Sequence, residues 1–263
     1  MARGLSPERW TIVVATLEKL FASSAYAPAN RAMSFGLDVR LRRIIYSTVR
    51  GIVVDVGCGD GTHSMPFLQR AREVVCVDPL AHRLHLSSNN PYLHRVSGIA
   101  EFIPLRDKST DFATAMFSFR DFLDKAKGLS EMRRVARIGI FILEIFNPSN
   151  VFRLLLYTYV QGVAPILGYI ASRGSGRGWR LLMPTIRLMP RVSFFQKLGG
   201  KILVSIGRGT LCIVYLPSHK IQERSLSPNY LQQKIKVNKK CLPLPFEKEW
   251  FDHNVRWGDE NRS

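Results

Sequence analysis

The sequence predicts an α/β fold: a mostly parallel sheet of seven strands, with a C-terminal β-hairpin and a helical insert after the fifth strand. Residues 52–144 alternate short apolar runs with amphipathic ones, which is typical of parallel strands and crossover helices. The first two apolar runs each end in an acid, and a glycine-rich turn follows the first. Two later apolar runs are joined by Arg208-Gly209, the short connection of a tight hairpin.

The predicted strands are apolar runs bounded by turn residues. They lie at Ile52–Val56, Val74–Asp78, Tyr92–Val96, Asp111–Ser118, Gly139–Phe146, Lys201–Gly207 and Thr210–Pro217. The first crossover helix is expected at Thr62–Arg72, where its free N–H groups would face the glycine turn. The chain is thereby divided into an N-terminal helical cap (1–50), a central domain (51–218, with the insert at about 147–198) and a basic, partly irregular tail (219–263).

Positive charge is concentrated in one part of the chain. The formal net charge is +18, and residues 145–218 hold nine basic residues and no acid. Basic surfaces attract phosphates, so nucleic acid and anionic lipid headgroups are candidate partners, with general solubility as the alternative. With 46% hydrophobic and 22% charged residues the chain is not wholly disordered. Charges run through the first twenty residues, so no signal peptide is expected.

The cysteines and histidines predict neither a disulfide framework nor a metal site. The cysteines are scattered and never form a CxxC pair, which suits a reducing compartment; they are Cys58, Cys76, Cys212 and Cys241. His82 and His85 share one face of a predicted helix, but no third ligand is legible. We therefore expect these histidines to be solvated.

The insert contains a long apolar segment at residues 151–171, in which no charge falls between Arg153 and Arg173. Its length is sufficient for a transmembrane helix. Gln161, Pro165 and its position inside an α/β domain favour instead a pair of helices, or one helix that lies in the membrane interface.

The most informative segment is Asp55–Thr62, which reads DVGCGDGT. Gly57, Gly59 and Gly61 allow a tight turn and a close approach of a ligand to the backbone. Their spacing lacks the third glycine of a dinucleotide loop, and no GK[ST] follows as in a phosphate-binding loop. A purely structural strand-to-helix turn is the alternative.

This segment resembles motif I of the class I S-adenosylmethionine-dependent methyltransferases, which implies their Rossmann-like fold and their cofactor. The resemblance implies that the loop Gly57, Gly59 and Gly61 binds the methionine end of S-adenosylmethionine. Asp78, at the end of the second strand, would accept both ribose hydroxyls. Asp55 would bond the cofactor amino group or orient the loop.

Further segments resemble the ubiquinone/menaquinone biosynthesis C-methyltransferases. They are Tyr26–Gly36, Ala100–Phe112, Ser118–Lys125 and Glu131–Val135, and the likeness covers roughly residues 20–216. The resemblance implies an enzyme that methylates a ring carbon of a membrane-dissolved polyprenyl quinol or phenol. It also implies that Ala100 offers its backbone to the adenine ring, whereas Ile99 stands where the family has a polar side chain.

Five residues complete the expected site. Arg120 and Asp121 follow the fourth strand, where ligands of open α/β sheets collect. We expect Arg120 to stabilise the developing phenolate and Asp121 to accept the proton, with a surface salt bridge as the alternative. Tyr26 and Asn30 would fold over the cofactor, with a core tyrosine and a helix cap as the alternative. By the same resemblance Ser118 belongs to the cofactor site.

These expectations describe a cytoplasmic enzyme that docks peripherally on anionic membranes. Apolar Leu154–Tyr159 and Pro165–Ile170 would open a path to the substrate. Basic residues would bind the headgroups in a salt-dependent manner; they are Arg173, Arg177, Arg180, Arg187 and Arg191.

Several alternatives stay open. Nucleic acid is disfavoured as a partner because the [DNS]PP[YFW] motif of amine-methylating nucleic-acid enzymes is absent after the fourth strand. The chain could still methylate another small molecule, a lipid or RNA, or be a noncatalytic protein that docks on membranes. The sequence names neither the quinone, nor the ring atom, nor the oligomeric state.

Overall fold

The sheet of the computed structural model confirms the predicted fold class. The structure describes residues 4–81, 90–148, 150–173, 179 and 181–218. The strands are β1 Gly51–Val56, β2 Ala71–Asp78, β3 Leu93–Ser97, β4 Thr110–Met116, β5 Ala136–Ile145, β6 Lys201–Ile206 and β7 Leu211–Pro217. Their order is β3-β2-β1-β4-β5-β7-β6. Strands β1 to β5 are parallel, and β7 runs antiparallel to both of its neighbours.

Helices cover both faces and one end of this sheet. They are α1 Pro7–Ala22, α2 Tyr26–Met33, α3 Leu37–Thr48, α4 Lys125–Val135, α5 Asn150–Thr158, α6 Ala164–Ala171, α7 Leu182–Arg187 and α8 Ser193–Lys197. A π-helical turn at Tyr159–Val163 joins α5 to α6, and Phe119–Asp121 is a short 3-10 helix. Helices α5 to α8 fall in the segment expected to form the insert. The predicted tail (219–263) lies outside the described residues.

The core consists of two apolar layers, one on each face of the sheet. Because neighbouring side chains on a strand point to opposite faces, Val53 joins one layer and Val54 the other. Ile45 of α3 packs in the first layer, whereas Met132 of α4 and Phe195 of α8 pack in the second. This arrangement fixes the carboxyl ends of β1, β2 and β4 side by side at one edge.

The prediction of an α-helix after the glycine loop is wrong. The segment contains only a 3-10 helix at Met65–Gln69, and β2 begins at Ala71. Few residues separate the loop from β2, and Pro66 has no N–H to donate. Ser64 points inward and donates a hydrogen bond of 2.6 Å to Asp55. The loop therefore does not face the N-terminus of an α-helix.

The hairpin between β6 and β7 has the predicted turn. Arg208 and Gly209 have φ values of 49° and 92°, the left-handed conformations that a two-residue connection of the I′ type requires. The hairpin places β7 next to β5.

The scattered cysteines predict no disulfide framework, but one disulfide is present. Cys58 of the glycine loop and Cys76 of β2 form a disulfide, with their Cα atoms 5.6 Å apart. The register of β1 with β2 places Asp55 beside Cys76, which brings the loop cysteine over the same strand. The two cysteines come close because β1 pairs with β2. The spacing of the cysteines along the chain does not reveal this pairing.

Candidate cofactor and acceptor site

The glycine loop at the carboxyl end of β1 has a backbone that favours glycine. Gly57, Gly59 and Gly61 have φ values of 74°, 61° and 79°. A Cβ on Gly57 would overlap the side chain of Ser118, and one on Gly59 would overlap the ring of Phe21. Conformation and close approach therefore both explain the glycines at 57 and 59.

Asp78 ties β2 to this loop. One carboxylate oxygen accepts the Gly59 N–H and the other accepts the Leu80 N–H, both at 2.8 Å. Burial raises the pKa of Asp78, and the two N–H groups act in the opposite direction. Since a carboxylate oxygen has two lone pairs, each oxygen retains one for a further donor. Adjacent ribose hydroxyls are donors with the matching separation.

Asp55 lies behind the loop and does not line the cleft. Its oxygens accept hydrogen bonds from Ser64 at 2.6 Å and from Thr114 at 2.7 Å. Burial raises its pKa to about 6, while the two hydroxyls lower it. Of the two roles considered for Asp55, this geometry fits orientation of the loop.

A cleft that is open to solvent lies in front of the loop. Helix α1 forms its outer wall with a row of half-buried and buried side chains; these are Trp10, Val13, Val14, Leu17 and Phe21. Six of the expected site residues also line it: Tyr26, Gly57, Asp78, Ala100, Ser118 and Asp121. Ser118 is held by a 2.6 Å hydrogen bond to the Val56 carbonyl.

A second, smaller pocket adjoins the cleft. Arg120 lines it together with mostly apolar side chains from α1, α7 and the preceding segment, among them Leu20, Trp179 and Leu182. The two cavities share four wall residues: Val13, Leu17, Tyr26 and Asp121. Asp121 therefore stands where a ligand in one cavity would meet a ligand in the other.

Arg120 is buried and paired. Its Nη1 lies 2.7 Å from Oε1 of Glu144, and its backbone N–H donates to Oε2 at 3.2 Å. Nε lies 3.8 Å from the Asp121 carboxylate. Burial opposes the charge, but Glu144 and Asp121 together raise the pKa of Arg120 above its ordinary value. The alternative of a surface salt bridge is wrong, because the side chain of Arg120 is only 6% exposed.

Burial raises the pKa of Asp121 to about 6. Arg120 lowers it and the negative charge of Glu144 raises it again. Lys125, which is fully buried, also favours the charged carboxylate, while burial lowers the pKa of Lys125 itself. A carboxyl group with this pKa is ionised at neutral pH and retains affinity for a proton, as a general base requires.

The structure separates the two residues expected to fold over the cofactor. Tyr26 is buried at the junction of the two cavities. Asn30 lines neither cavity, and its amide donates to Asp38 of α3 at 3.2 Å. Asn30 thus links α2 to α3, and its expected contact with the cofactor is not supported by this geometry.

Sequence reasoning missed Glu144 and the inner face of α1. Glu144 follows a run of buried residues in β5 just as Asp78 ends β2, which is a legible signal for an acid at the carboxyl edge of the sheet. Trp10, Val13, Leu17 and Phe21 recur at helical spacing, which predicts one face of a helix but not what that face covers.

The residues at the cleft fit S-adenosylmethionine. Asp78 supplies acceptors for vicinal hydroxyls, and Leu80, Ile99, Ala100 and Phe122 form an apolar wall suited to a purine ring. Within the described part of the chain, no group of three His, Cys, Asp or Glu could hold a metal ion. His82 and His85 lie outside the described residues.

Comparisons with known proteins agree with this assignment. The family model described as "Methyltransferase domain" matches residues 54–143. The chain is 33% identical over 178 residues to the demethylmenaquinone methyltransferase of Deinococcus radiodurans, covering 61% of this chain and 73% of that one. It is 29% identical over 178 residues to the ubiquinone/menaquinone biosynthesis C-methyltransferase UbiE of Geotalea uraniireducens, covering 60% and 76%.

Among solved structures, a SAM-dependent methyltransferase of Thermotoga maritima is similar at 16% identity with a TM-score of 0.49, covering 79% of this chain and 100% of that one. The strand order, rather than this likeness, identifies the fold.

Proposed function

Since the chain belongs to the class I S-adenosylmethionine-dependent methyltransferases of the UbiE type, we propose that it methylates a ring carbon of a polyprenyl quinol or phenol in quinone biosynthesis. Similar proteins are named as a C-methyltransferase of ubiquinone/menaquinone biosynthesis and as a demethylmenaquinone methyltransferase. The observation that supports it in this chain is the wall shared by the two cavities. An apolar pocket that holds a buried arginine and a carboxylate suits a ring with one ionisable hydroxyl.

The cofactor supplies an electrophilic methyl group when it is bound. Asp78 and the glycine loop hold its ribose and methionine ends. Asp121 accepts the proton from the ring hydroxyl, which makes the ring carbon electron-rich. Once that carbon has taken up the methyl group, it loses its own hydrogen to water as a proton, and the ring becomes aromatic again. The Arg120 guanidinium stabilises the oxyanion that forms, and a preorganised charge is most effective where water is excluded. Helix α1 contributes that exclusion with Leu17 and its apolar neighbours.

Glu144 holds Arg120 in place. The Glu144 side chain is fully buried and that of Arg120 is only 6% exposed, so neither can turn away without leaving a buried charge unpaired. Tyr26 stands between the two cavities, where its ring separates the acceptor from the glycine loop. These roles of Arg120, Asp121 and Tyr26 are part of the proposal.

We further propose that the enzyme works on the cytoplasmic face of a membrane. A long-tailed quinol stays in the bilayer, so the protein must come to the substrate. Among the expected headgroup ligands, Arg173, Arg187 and Arg191 are exposed, and Arg177 and Arg180 lie outside the described residues. Their positive charge supports a preference for anionic lipid.

Two measurements test the proposed function. Isothermal titration should show that the protein binds S-adenosylmethionine; no measurable binding would favour a noncatalytic membrane protein. Mass spectrometry of the quinones in a deletion strain should then find a species that lacks one methyl group. An unchanged quinone pool with normal cofactor binding would redirect the assignment to another small molecule, a lipid or RNA.

A further inference from the structure

The exposed large hydrophobic side chains of the described chain are concentrated on one helix of the insert. Helices α5 and α6, with the π turn between them, form a continuous helical run over Val151–Ala171, called here the insert helix. Twelve large hydrophobic residues are exposed among the described residues, and seven of them are on this helix; they are Val151, Leu154, Leu155, Val163, Ile166, Tyr169 and Ile170. Apolar exposure is therefore concentrated there and not scattered as on an ordinary surface.

These side chains form two groups on the outer side of the helix, at 151–155 and at 163–170, and neighbours within each group are one, three or four residues apart. Leu154, Ile166 and Ile170 are 68%, 60% and 68% exposed.

The opposite face is fixed to the domain. Leu156, Val160, Ala164 and Gly168 recur every fourth residue and are buried. The Tyr159 hydroxyl donates to the Met33 carbonyl of α2 at 2.5 Å. The run is long and apolar enough to cross a membrane. Crossing would, however, require this packed face to leave the protein, so the helix suits a position in the plane of the interface.

The charges around this helix select the partner. Arg153 and Arg173 are exposed near its two ends, and the Arg208 guanidinium lies 5.6 Å from the Phe152 ring. No acid occurs in residues 145–218. In a symmetric pair of two copies these cations would face one another, which is unfavourable, whereas anionic headgroups would neutralise them. An apolar stripe with a basic rim fits a bilayer surface.

The insert helix also adjoins the second pocket, which Arg120 lines and which is called here the acceptor pocket. A Cβ on Gly168 would lie within 2.7 Å of the Trp179 ring, so this indole packs directly against α6. The same Trp179 lines the pocket that holds Arg120 and Asp121. Trp179 thus contacts both the insert helix and the interior of the acceptor pocket.

We propose that the exposed face of the insert helix lies in the membrane interface, inserts its apolar side chains among the lipids and brings the acceptor pocket to the bilayer. The purpose of this docking rests on the proposed function, whereas the docking itself does not. Insertion distinguishes this proposal from attraction by arginines alone, because apolar contacts with lipid persist when salt screens the charges.

The test is co-sedimentation of the full chain with vesicles of phosphatidylcholine alone, or of equal parts phosphatidylcholine and phosphatidylglycerol. We expect binding to both, stronger to the anionic vesicles, with a part that resists high salt. The double variant Leu154→Glu, Ile166→Glu should weaken binding to both vesicles by about tenfold or more, because two well-exposed anchors become charges. Tyr92→Glu is the matched control, since Tyr92 is 58% exposed at the start of β3, and it should bind like the wild type.

Three readouts separate the outcomes. S-adenosylmethionine binding reports folding of the double variant, and methylation of a water-soluble short-chain quinol tests the proposed function without a membrane. Vesicle binding that depends on Leu154 and Ile166 supports the docking proposal even if the quinol is not methylated. Binding that high salt abolishes completely, or that the double variant retains, would overturn it. So would a dimer in solution that the double variant dissociates, with no vesicle binding by the wild type.

Discussion

Arg120 and Glu144 form an ion pair inside the protein, with 2.7 Å between Nη1 and Oε1 and with the Glu144 side chain fully buried. Arg120 follows β4 and Glu144 lies near the end of β5, so the pair bridges two neighbouring strands where they meet the acceptor pocket. Asp121, at 3.8 Å from Arg120, receives only part of the arginine's charge. Burial raises the pKa of Asp121, and the arginine offsets this effect only in part.

Replacing Glu144 with Gln should destabilise the protein strongly. The variant leaves Arg120 buried without its charged partner, and breaking such a pair costs about 3–5 kcal/mol. Urea denaturation at neutral pH measures the effect. Asp107→Asn is the control, because Asp107 pairs with Arg134 at the same distance but is 74% exposed, and it should cost less than about 1 kcal/mol. Equal losses in the two variants would contradict the role of Glu144.

The rate of methyl transfer should fall as the pH drops through about 6. Asp121 is the expected base, and its pKa of about 6 means that below this pH it is protonated and cannot accept a proton. Asp121→Asn should lower kcat by roughly a hundredfold or more and remove this acid limb from the pH profile, because an amide does not take up the proton. S-adenosylmethionine affinity should stay near that of the wild type. An acid limb that persists in the variant would assign the base elsewhere.

Stability should decrease between about pH 4 and pH 6 through Asp55. Burial raises its folded pKa to about 6 from an ordinary 3.8, so the folded state holds a proton that the unfolded state has released. The stabilisation by this proton is complete below pH 3.8, the ordinary pKa, and is lost as the pH rises through the folded pKa of about 6. The free energy of unfolding should fall by about 2–3 kcal/mol over this range. Asp55→Asn should flatten this slope in denaturation curves taken across the range. A slope that is unchanged in the variant would contradict the assignment.

Asp78→Ala should weaken S-adenosylmethionine binding by about 2–4 kcal/mol, because two charge-assisted hydrogen bonds are lost. The variant also frees the Gly59 N–H and so loosens the loop. Asp78→Asn retains one acceptor oxygen, so its affinity for S-adenosylmethionine should lie between those of Asp78→Ala and the wild type. Isothermal titration measures the three affinities. Equal affinities would remove Asp78 from the cofactor site.

Reduction of the Cys58–Cys76 disulfide should lower the free energy of unfolding. The two residues are 18 apart in sequence, and closing a loop of this length stabilises a fold by about 3 kcal/mol. Denaturation with and without reductant measures the change in the free energy of unfolding. In the double variant Cys58→Ser, Cys76→Ser, reductant should cause no change. Peptide mapping without reductant should recover the linked peptides; two free thiols would contradict the bond.

The sequence by itself predicted the sheet and the residues that we propose as the cofactor site. Apolar runs such as Ile52–Val56 have no stable solution except burial in a sheet, and three glycines with left-handed φ values follow directly from the close turn after β1. Asp78 could be identified because an acid at the end of a buried strand reaches the edge where ligands bind.

Only the tertiary structure decided the partners of the acceptor site. Glu144 is 24 residues from Arg120, and Phe21 lies over Gly59 although 38 residues separate them in the chain. The hydrogen bond from Asn30 to Asp38 forms because α2 packs against α3. The disulfide between Cys58 and Cys76 forms because the glycine loop lies next to β2. Spacing along a chain constrains residues within one turn or strand, whereas contacts between elements depend on how their faces pack together, which periodicity does not encode.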